Sequence, residues 1–126
     1  MTQSPHKKII VVDDSLESLT AIKNTLKEQY DVYPALSTAK LFDLLEHFTP
    51  DLILLDIEMP HVNGYEAAKM LKNSDRYKKI PVVFLTASRG RESEKTGLGI
   101  GAAGYIYKPF TAPLLMERMK GLLGVY

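Results

Sequence analysis

Apolar and polar positions divide the 126-residue chain into two kinds of stretch. Short runs rich in Val, Ile, Leu and aromatic residues have the length of a strand, and three of them are apolar almost without interruption, which indicates burial on both faces. Between these runs, apolar residues recur every three or four positions, as on the buried stripe of a helix. The predicted strands are residues 8–12, 31–35, 52–55, 80–85 and 104–107.

Helical stripes and capping residues support this alternation. Apolar residues at helical spacing are Leu19, Ile22 and Leu26, then Leu41, Leu44, Leu45 and Phe48, and finally Leu115, Met119 and Leu122. Ser15, Asn63 and Thr111 precede predicted helices and carry side-chain oxygens that can cap the first backbone N–H groups. Five strands alternating with five helices predict an α/β protein whose parallel sheet is covered by helices on both faces.

The fourth helix is the least regular predicted element. It must lie within residues 91–103, yet Gly97, Gly99 and Gly101 fall there, and each glycine costs about 1 kcal/mol relative to alanine inside a helix. Two interpretations are open. The glycines allow close packing and an early helix end, or they make a soft element that rearranges in function.

The composition is that of an ordinary globular protein. Hydrophobic residues make up 45% and charged residues 25% of the chain. With a length of 126 residues, residues 1–126 are expected to form one domain without an appended module. The net charge of +1 lacks the clustered basic excess of a nucleic-acid-binding protein. There is no cysteine, which excludes disulfides and thiolate chemistry. No apolar run approaches the ~18 residues of a membrane span, so a cytoplasmic location is expected.

Acidic residues stand where two predicted strands end. Asp13 and Asp14 follow the first strand, and Asp56 follows the third. Parallel sheets bind ligands at the carboxyl ends of their strands, so we expect the three carboxylates to converge there. Mg²⁺ would relieve their repulsion of about 1–4 kcal/mol per pair, because it prefers oxygen ligands and retains bound water. A single strand-end aspartate is more often a helix cap, but three converging carboxylates weaken that interpretation.

Two further strand-end residues suit phosphate chemistry. Thr86 follows the fourth strand with a hydroxyl donor, and Lys108 follows the fifth with a positive charge for phosphoryl oxygens. An aspartate beside a metal ion and a lysine can attack phosphorus and form an acyl phosphate. Singly, such a threonine is usually an ordinary strand or turn residue and such a lysine is usually solvated. Both gain meaning only by lying beside Asp56.

These residues belong to four motifs that follow one another along nearly the whole chain. The motifs are Val11-Val12-Asp13-Asp14-Ser15, Asp56-Ile57-Glu58-Met59-Pro60-His61-Val62-Asn63-Gly64, Leu85-Thr86-Ala87 and Gly101-Ala102-Ala103-Gly104-Tyr105-Ile106-Tyr107-Lys108-Pro109-Phe110. Together they closely resemble the receiver domain of two-component response regulators. The resemblance implies a flavodoxin-like fold, with a five-stranded parallel sheet in the order 2-1-3-4-5.

The resemblance also implies roles for the acidic residues. Asp56 resembles the phosphoacceptor, Asp14 a direct Mg²⁺ ligand, and Asp13 an acidic neighbour that acts more through water. The backbone carbonyl of Glu58 would be a further ligand. The side chains of Glu58 and Ser88 occupy positions that the motifs do not fix, and we expect the charged Glu58 to influence autodephosphorylation.

A second group of residues resembles the family's switch. Thr86 corresponds to the hydroxyl that turns toward the phosphoryl group, Lys108 to its ionic partner, and Ala87 to the small residue beside the phosphoryl oxygens. Tyr105 resembles the aromatic residue that swings inward when Thr86 moves. Outside the family, Tyr105 would simply be a half-buried strand aromatic whose hydroxyl reaches water.

By this resemblance the chain is a signalling protein and not an enzyme. It would receive a phosphoryl group from the phosphohistidine of a sensor histidine kinase or a histidine phosphotransfer protein. Phosphorylation would then shift the surface of the fourth helix, fifth strand and fifth helix toward binding a downstream protein, without direct contact with nucleic acid or membrane. We expect a stand-alone, chemotaxis-type receiver, and the alternative is a receiver excised from a longer transcriptional or enzymatic regulator.

Two other functions share parts of this pattern. A phosphatase of the haloacid dehalogenase type also uses a strand-end aspartate, but it requires Asp where this chain has Glu58, and its acidic pair follows the nucleophile. A flavodoxin-like carrier would need a phosphate-binding loop after the first strand. Asp13 and Asp14 would repel a phosphate there in the absence of a metal ion.

Overall fold

Strands and helices alternate throughout the part of the chain that the computed structural model describes, residues 6–59, 62–87 and 91–124. The elements are β1 Lys7–Val12, α1 Leu16–Leu26, β2 Tyr30–Ala35, α2 Thr38–Leu45, β3 Leu52–Asp56, α3 Gly64–Lys72, β4 Val82–Thr86, α4 Arg91–Ile100, β5 Gly104–Tyr107 and α5 Ala112–Leu123. The five strands form one parallel sheet in the order β2-β1-β3-β4-β5. The predicted fold class and strand order are therefore confirmed.

The predicted start of the fourth strand is wrong by two residues. Ile80 still belongs to the preceding turn, because its N–H donates to the carbonyl oxygen of Tyr77 over 3.0 Å. Pro81 follows and has no N–H to donate to a neighbouring strand. The strand therefore begins at Val82 and extends to Thr86, which places the Thr86 side chain at its very end.

Alternate side chains of the central strands enter two separate cores. Ile9 and Val11 of β1 pack toward one face of the sheet, and Ile10 and Val12 pack toward the other. The first core contains buried residues of α1 and α5, namely Leu19, Ile22, Leu26, Leu115 and Met119, and the second contains those of α2 and α3, namely Leu41, Leu45, Ala67, Ala68 and Leu71. Burial on both faces explains why the inner positions of these strands, such as residues 9–12 and 52–55, are apolar without interruption.

The three predicted caps are confirmed. Side-chain oxygens of Ser15, Asn63 and Thr111 accept hydrogen bonds from the backbone N–H groups of Ser18, Glu66 and Leu114, over 3.2, 3.0 and 3.2 Å. Each cap satisfies an N–H that the first turn of a helix leaves unpaired. The caps fix where α1, α3 and α5 begin, and so determine the loops at the carboxyl ends of β1, β3 and β5.

Close packing and helix termination explain two of the three glycines near α4. A Cβ atom at Gly97 would overlap the phenol ring of Tyr105. Gly101 ends the helix with a φ of 103°, a conformation that glycine adopts without strain. Among the described residues, no atom lies within 4 Å of a Cβ built at Gly99, and this part of the structure gives no reason for a glycine there.

Both outer strands of the sheet carry features that limit their free edges. Pro34 lies in β2 on one side. On the other side, the Arg118 guanidinium of α5 donates from Nη2 to the carbonyl oxygen of Tyr105 in β5 over 2.9 Å. Among the described helices, none combines the length and the apolar character that crossing a membrane requires.

Candidate functional site

Three carboxylates converge at the carboxyl ends of β1 and β3. One oxygen from each of Asp13, Asp14 and Asp56 lies within 4.8 Å of the others. Asp13 and Asp56 are only 1% and 3% exposed, whereas Asp14 is open to solvent. The sequence predicts this convergence, and the resulting cluster can hold a metal ion with water on its open side.

The Lys108 ammonium joins two of these carboxylates. Its Nζ donates to Asp13 Oδ2 over 2.8 Å and lies 3.5 Å from Asp56 Oδ1. The other oxygen of Asp13 accepts the backbone N–H of Ser15 over 2.9 Å. Asp13 is therefore held by two donors from separate elements, and Lys108 stands beside Asp56 as predicted.

Burial raises the pKa of the Asp56 carboxyl to about 7. The charge of Asp13 adds to this rise and the Lys108 ammonium opposes it. For Lys108 itself, burial lowers the pKa, but the hydrogen bond to Asp13 and the charges of Asp13 and Asp56 outweigh that effect and raise it. The ionised form of Asp56 is thus destabilised at neutral pH, whereas Lys108 stays positively charged.

Replacing Asp56 by asparagine is expected to stabilise the metal-free protein at pH 8. The folded-state pKa of about 7 lies above the ordinary value of 3.8, so proton binding stabilises the native state fully below pH 3.8, and this stabilisation is lost as pH rises through 7. Asparagine removes the charge, and a gain of roughly 1 kcal/mol would raise the unfolding midpoint by about 4 °C.

Thermal unfolding in a chelator, followed by circular dichroism from pH 8 to pH 5, measures this effect. The difference between parent and Asp56→Asn should shrink as pH falls. Asp75→Asn is the control, since its side chain is 99% exposed. If the difference in unfolding midpoint between the parent and Asp56→Asn did not change with pH, the raised pKa of Asp56 would be contradicted.

The end of β4 supplies two donors that meet a carboxylate from the end of β3. The Thr86 hydroxyl donates to Glu58 Oε1 over 2.8 Å, and the Ala87 N–H donates to the same oxygen over 3.0 Å. Sequence reasoning missed this contact, since it considered only the backbone carbonyl of Glu58 and a general effect of its charge. The sequence feature that could have indicated this contact is the acidic Glu58, two positions beyond the strand-end Asp56. Ser88 lies outside the described residues.

A close backbone approach fixes the loop that carries Glu58. The N–H of Gly64 donates to the carbonyl oxygen of Ile57 over 3.0 Å. A Cβ atom at position 64 would overlap the carbonyl oxygen of Asp56 and would lie 2.8 Å from the Ile57 Cα. The first residue of α3 therefore touches the backbone of Asp56, and only glycine fits there.

Tyr105 lies in an inward position. Its side chain is 9% exposed, and its hydroxyl is 3.3 Å from the hydroxyl of Tyr65. The Tyr105 ring lies 5.5 Å from that of Phe84, and Gly97 leaves space for its hydroxyl end. Burial raises the pKa of the Tyr105 phenol, and the hydrogen bond with Tyr65 adds to the rise. Sequence reasoning did not predict Tyr65 as its partner.

Comparison with known proteins identifies the family. The family model of the response regulator receiver domain matches residues 9–120. This chain belongs to that family. The chain is therefore a receiver of phosphorelay signalling, and its acidic cluster lies where the receiver motifs predict it.

Relatives of this receiver differ in length. Chemotaxis protein CheY1 of Helicobacter pylori is 34% identical over 120 residues, and the match covers 93% of this chain and 97% of that protein. A probable cyclic di-GMP phosphodiesterase of Vibrio cholerae is 36% identical over 111 residues, which cover 88% of this chain but only 25% of the relative. The receiver sequence therefore matches both a protein of its own length and one segment of a much longer protein.

The solved structure of Vibrio cholerae chemotaxis protein CheY4 has the same fold. It superposes with a TM-score of 0.88 at 28% sequence identity, over 94% of this chain and 99% of that chain.

Proposed function

We propose that Asp56 accepts a phosphoryl group from the phosphohistidine of a sensor histidine kinase or a histidine phosphotransfer protein. One observation carries the proposal. The Lys108 ammonium is hydrogen-bonded to Asp13 and lies 3.5 Å from the nearly buried carboxylate of Asp56. This arrangement places a fixed positive charge where a phosphoryl group attached to Asp56 would bring its oxygens.

The acidic cluster fits Mg²⁺. Its carboxylate oxygens are the donors that this ion prefers, their mutual distances allow one ion to contact them, and the exposed Asp14 leaves room for water. Asp13, Asp14 and Asp56 would hold the ion together with the backbone carbonyl of Glu58. When bound, Mg²⁺ would neutralise part of the charge on the carboxylates and on the incoming phosphoryl group.

The proposed transfer uses residues from three strand ends. A carboxylate oxygen of Asp56 attacks phosphorus, an O–P bond forms, and the P–N bond of the donor breaks with its electron pair left on the imidazole nitrogen. Lys108 offsets charge on the phosphoryl oxygens. The Thr86 hydroxyl and the Ala87 N–H are the donors at the end of β4 that would bind one of these oxygens after transfer.

Asp56→Asn is expected to abolish phosphorylation. With Mg²⁺ and acetyl phosphate, the parent protein should gain the mass of one labile phosphoryl group, and the variant should gain none, because an amide cannot form the acyl phosphate. Intact mass spectrometry measures both. Asp75→Asn, which alters an exposed carboxylate on the α3–β4 loop, should behave like the parent. An adduct of equal yield on Asp56→Asn would refute the assignment.

We further propose that the face formed by α4, β5 and α5 binds a downstream protein. Leu98 and Leu114 on this face are 61% and 44% exposed, and Tyr105 lies between the two helices in sequence. Signalling by protein contact is supported by the match to CheY1, a chemotaxis protein of which the match covers 97%.

A further inference from the structure

The Glu58 carboxylate occupies a pair of donors at the end of β4. A single oxygen, Oε1, accepts both the Thr86 hydroxyl and the Ala87 N–H. Thr86 is fully buried, so this contact, and not bulk water, binds its hydroxyl. Hydrogen bonds to an ionised acceptor are about twice as strong as those between neutral groups. The carboxylate therefore orients the Thr86 hydroxyl in the unphosphorylated protein.

Glu58 is also held beside Asp56 by its backbone. Its N–H donates to Asp56 Oδ1 over 3.3 Å. The sheet register pairs Asp56 with Leu85, the residue directly before Thr86. The Glu58 side chain consequently passes from the end of β3 to the end of β4 beside Asp56. Because this side chain is exposed, the carboxylate can rotate out into solvent when another group binds the Thr86 hydroxyl and the Ala87 N–H.

The proposed function requires the same two donors for a phosphoryl oxygen on Asp56. The Thr86 hydroxyl and the Ala87 N–H each carry one hydrogen, so the carboxylate and the phosphoryl oxygen cannot both receive them at full strength. Their negative charges also repel one another at such short distances. Occupation by Glu58 and occupation by the phosphoryl group are therefore in competition.

We infer that the Glu58 side chain is a tethered anion that occupies the phosphoryl-binding donors, Thr86 and Ala87, and must turn away as Asp56 is phosphorylated. The inference rests on the proposed function and assigns Glu58 as a positioning residue that slows phosphoryl uptake. It differs from an effect on autodephosphorylation, because it acts before the acyl phosphate exists.

Two variants test the competition. Glu58→Ala removes the acceptor, and Glu58→Gln keeps a neutral one. With Mg²⁺ and acetyl phosphate, uptake measured by intact mass should be about tenfold faster for Glu58→Ala than for the parent, with Glu58→Gln in between. Glu46→Gln is the matched control, because Glu46 is an exposed residue at the end of α2 that pairs with Arg76. Its uptake should equal that of the parent.

An equilibrium measurement separates competition from other kinetic effects. Beryllofluoride binds an aspartate as a phosphoryl mimic, and titration monitored at the Ala87 amide by NMR should give about tenfold tighter binding for Glu58→Ala. In the unphosphorylated protein, the same variant should lose the hydrogen-exchange protection of the Ala87 N–H.

The possible failures are distinguishable. Equal or slower uptake together with unchanged beryllofluoride affinity in Glu58→Ala would overturn the competition and leave the proposed function intact. Absence of any adduct on the parent protein would overturn both.

Discussion

Gly64→Ala is expected to lower the free energy of unfolding by about 3 kcal/mol, the upper end of the cost of overpacking a closely packed site. The new methyl group would meet the Asp56 carbonyl oxygen and the Ile57 Cα, which are backbone atoms and cannot rotate away. Either α3 or the end of β3 must then shift. Because Asp56 and Glu58 lie on that segment, phosphoryl uptake should fall together with stability.

Gly121→Ala provides a matched control for this substitution. Gly121 lies within α5, and no atom of the described part of the chain lies within 4 Å of a Cβ atom built there, so alanine should stabilise the helix by about 1 kcal/mol. Urea unfolding followed by circular dichroism gives both free energies. Similar effects of the two substitutions would show that the contact between Gly64 and β3 is not tight in solution.

Lys108→Ala is expected to slow phosphoryl uptake by about 10²-fold, the effect of removing one preorganised charge-stabilising donor from a reaction centre. The ammonium bridges Asp13 and Asp56, and the charges of both carboxylates help to raise its pKa. Without it, the phosphoryl oxygens lose their cation and the two nearly buried carboxylates lose theirs. Stability should therefore fall as well, most clearly in a chelator.

The control for Lys108 is Lys40→Ala, which removes an exposed lysine paired with Asp43 on α2. Uptake rates are measured by intact mass at a temperature where circular dichroism shows each variant to be folded. If the Lys108→Ala variant is folded and takes up the phosphoryl group at the parent rate, Lys108 has no part in the transfer. Lys40→Ala should match the parent in both rate and stability.

The fold could be predicted well because its strands are buried on both faces. Such strands are apolar at consecutive positions, and this pattern is visible in a single sequence at residues 9–12 and 52–55. The neighbours of each strand in the sheet are not encoded in that pattern. The order came from the resemblance of the motifs to a family, and the start of β4 was misplaced because Ile80 is as apolar as a strand residue.

The site was predictable only as far as it depends on strand ends. Parallel strands present their carboxyl ends at one edge of the sheet, and this edge carries Asp13, Asp56, Thr86 and Lys108. The contact of the Glu58 carboxylate with β4 depends on the direction of a side chain in a loop, which sequence spacing does not determine. The hydroxyl contact between Tyr65 and Tyr105 joins α3 to β5, 40 positions apart, and no local pattern indicates it.

The two outer strands have a consequence for self-association. Pro34 has no N–H to offer along β2, and the Tyr105 carbonyl of β5 is already engaged by Arg118. A strand from a second molecule would find an interrupted row of partners at either side of the sheet. Polymerisation by strand addition is thereby disfavoured.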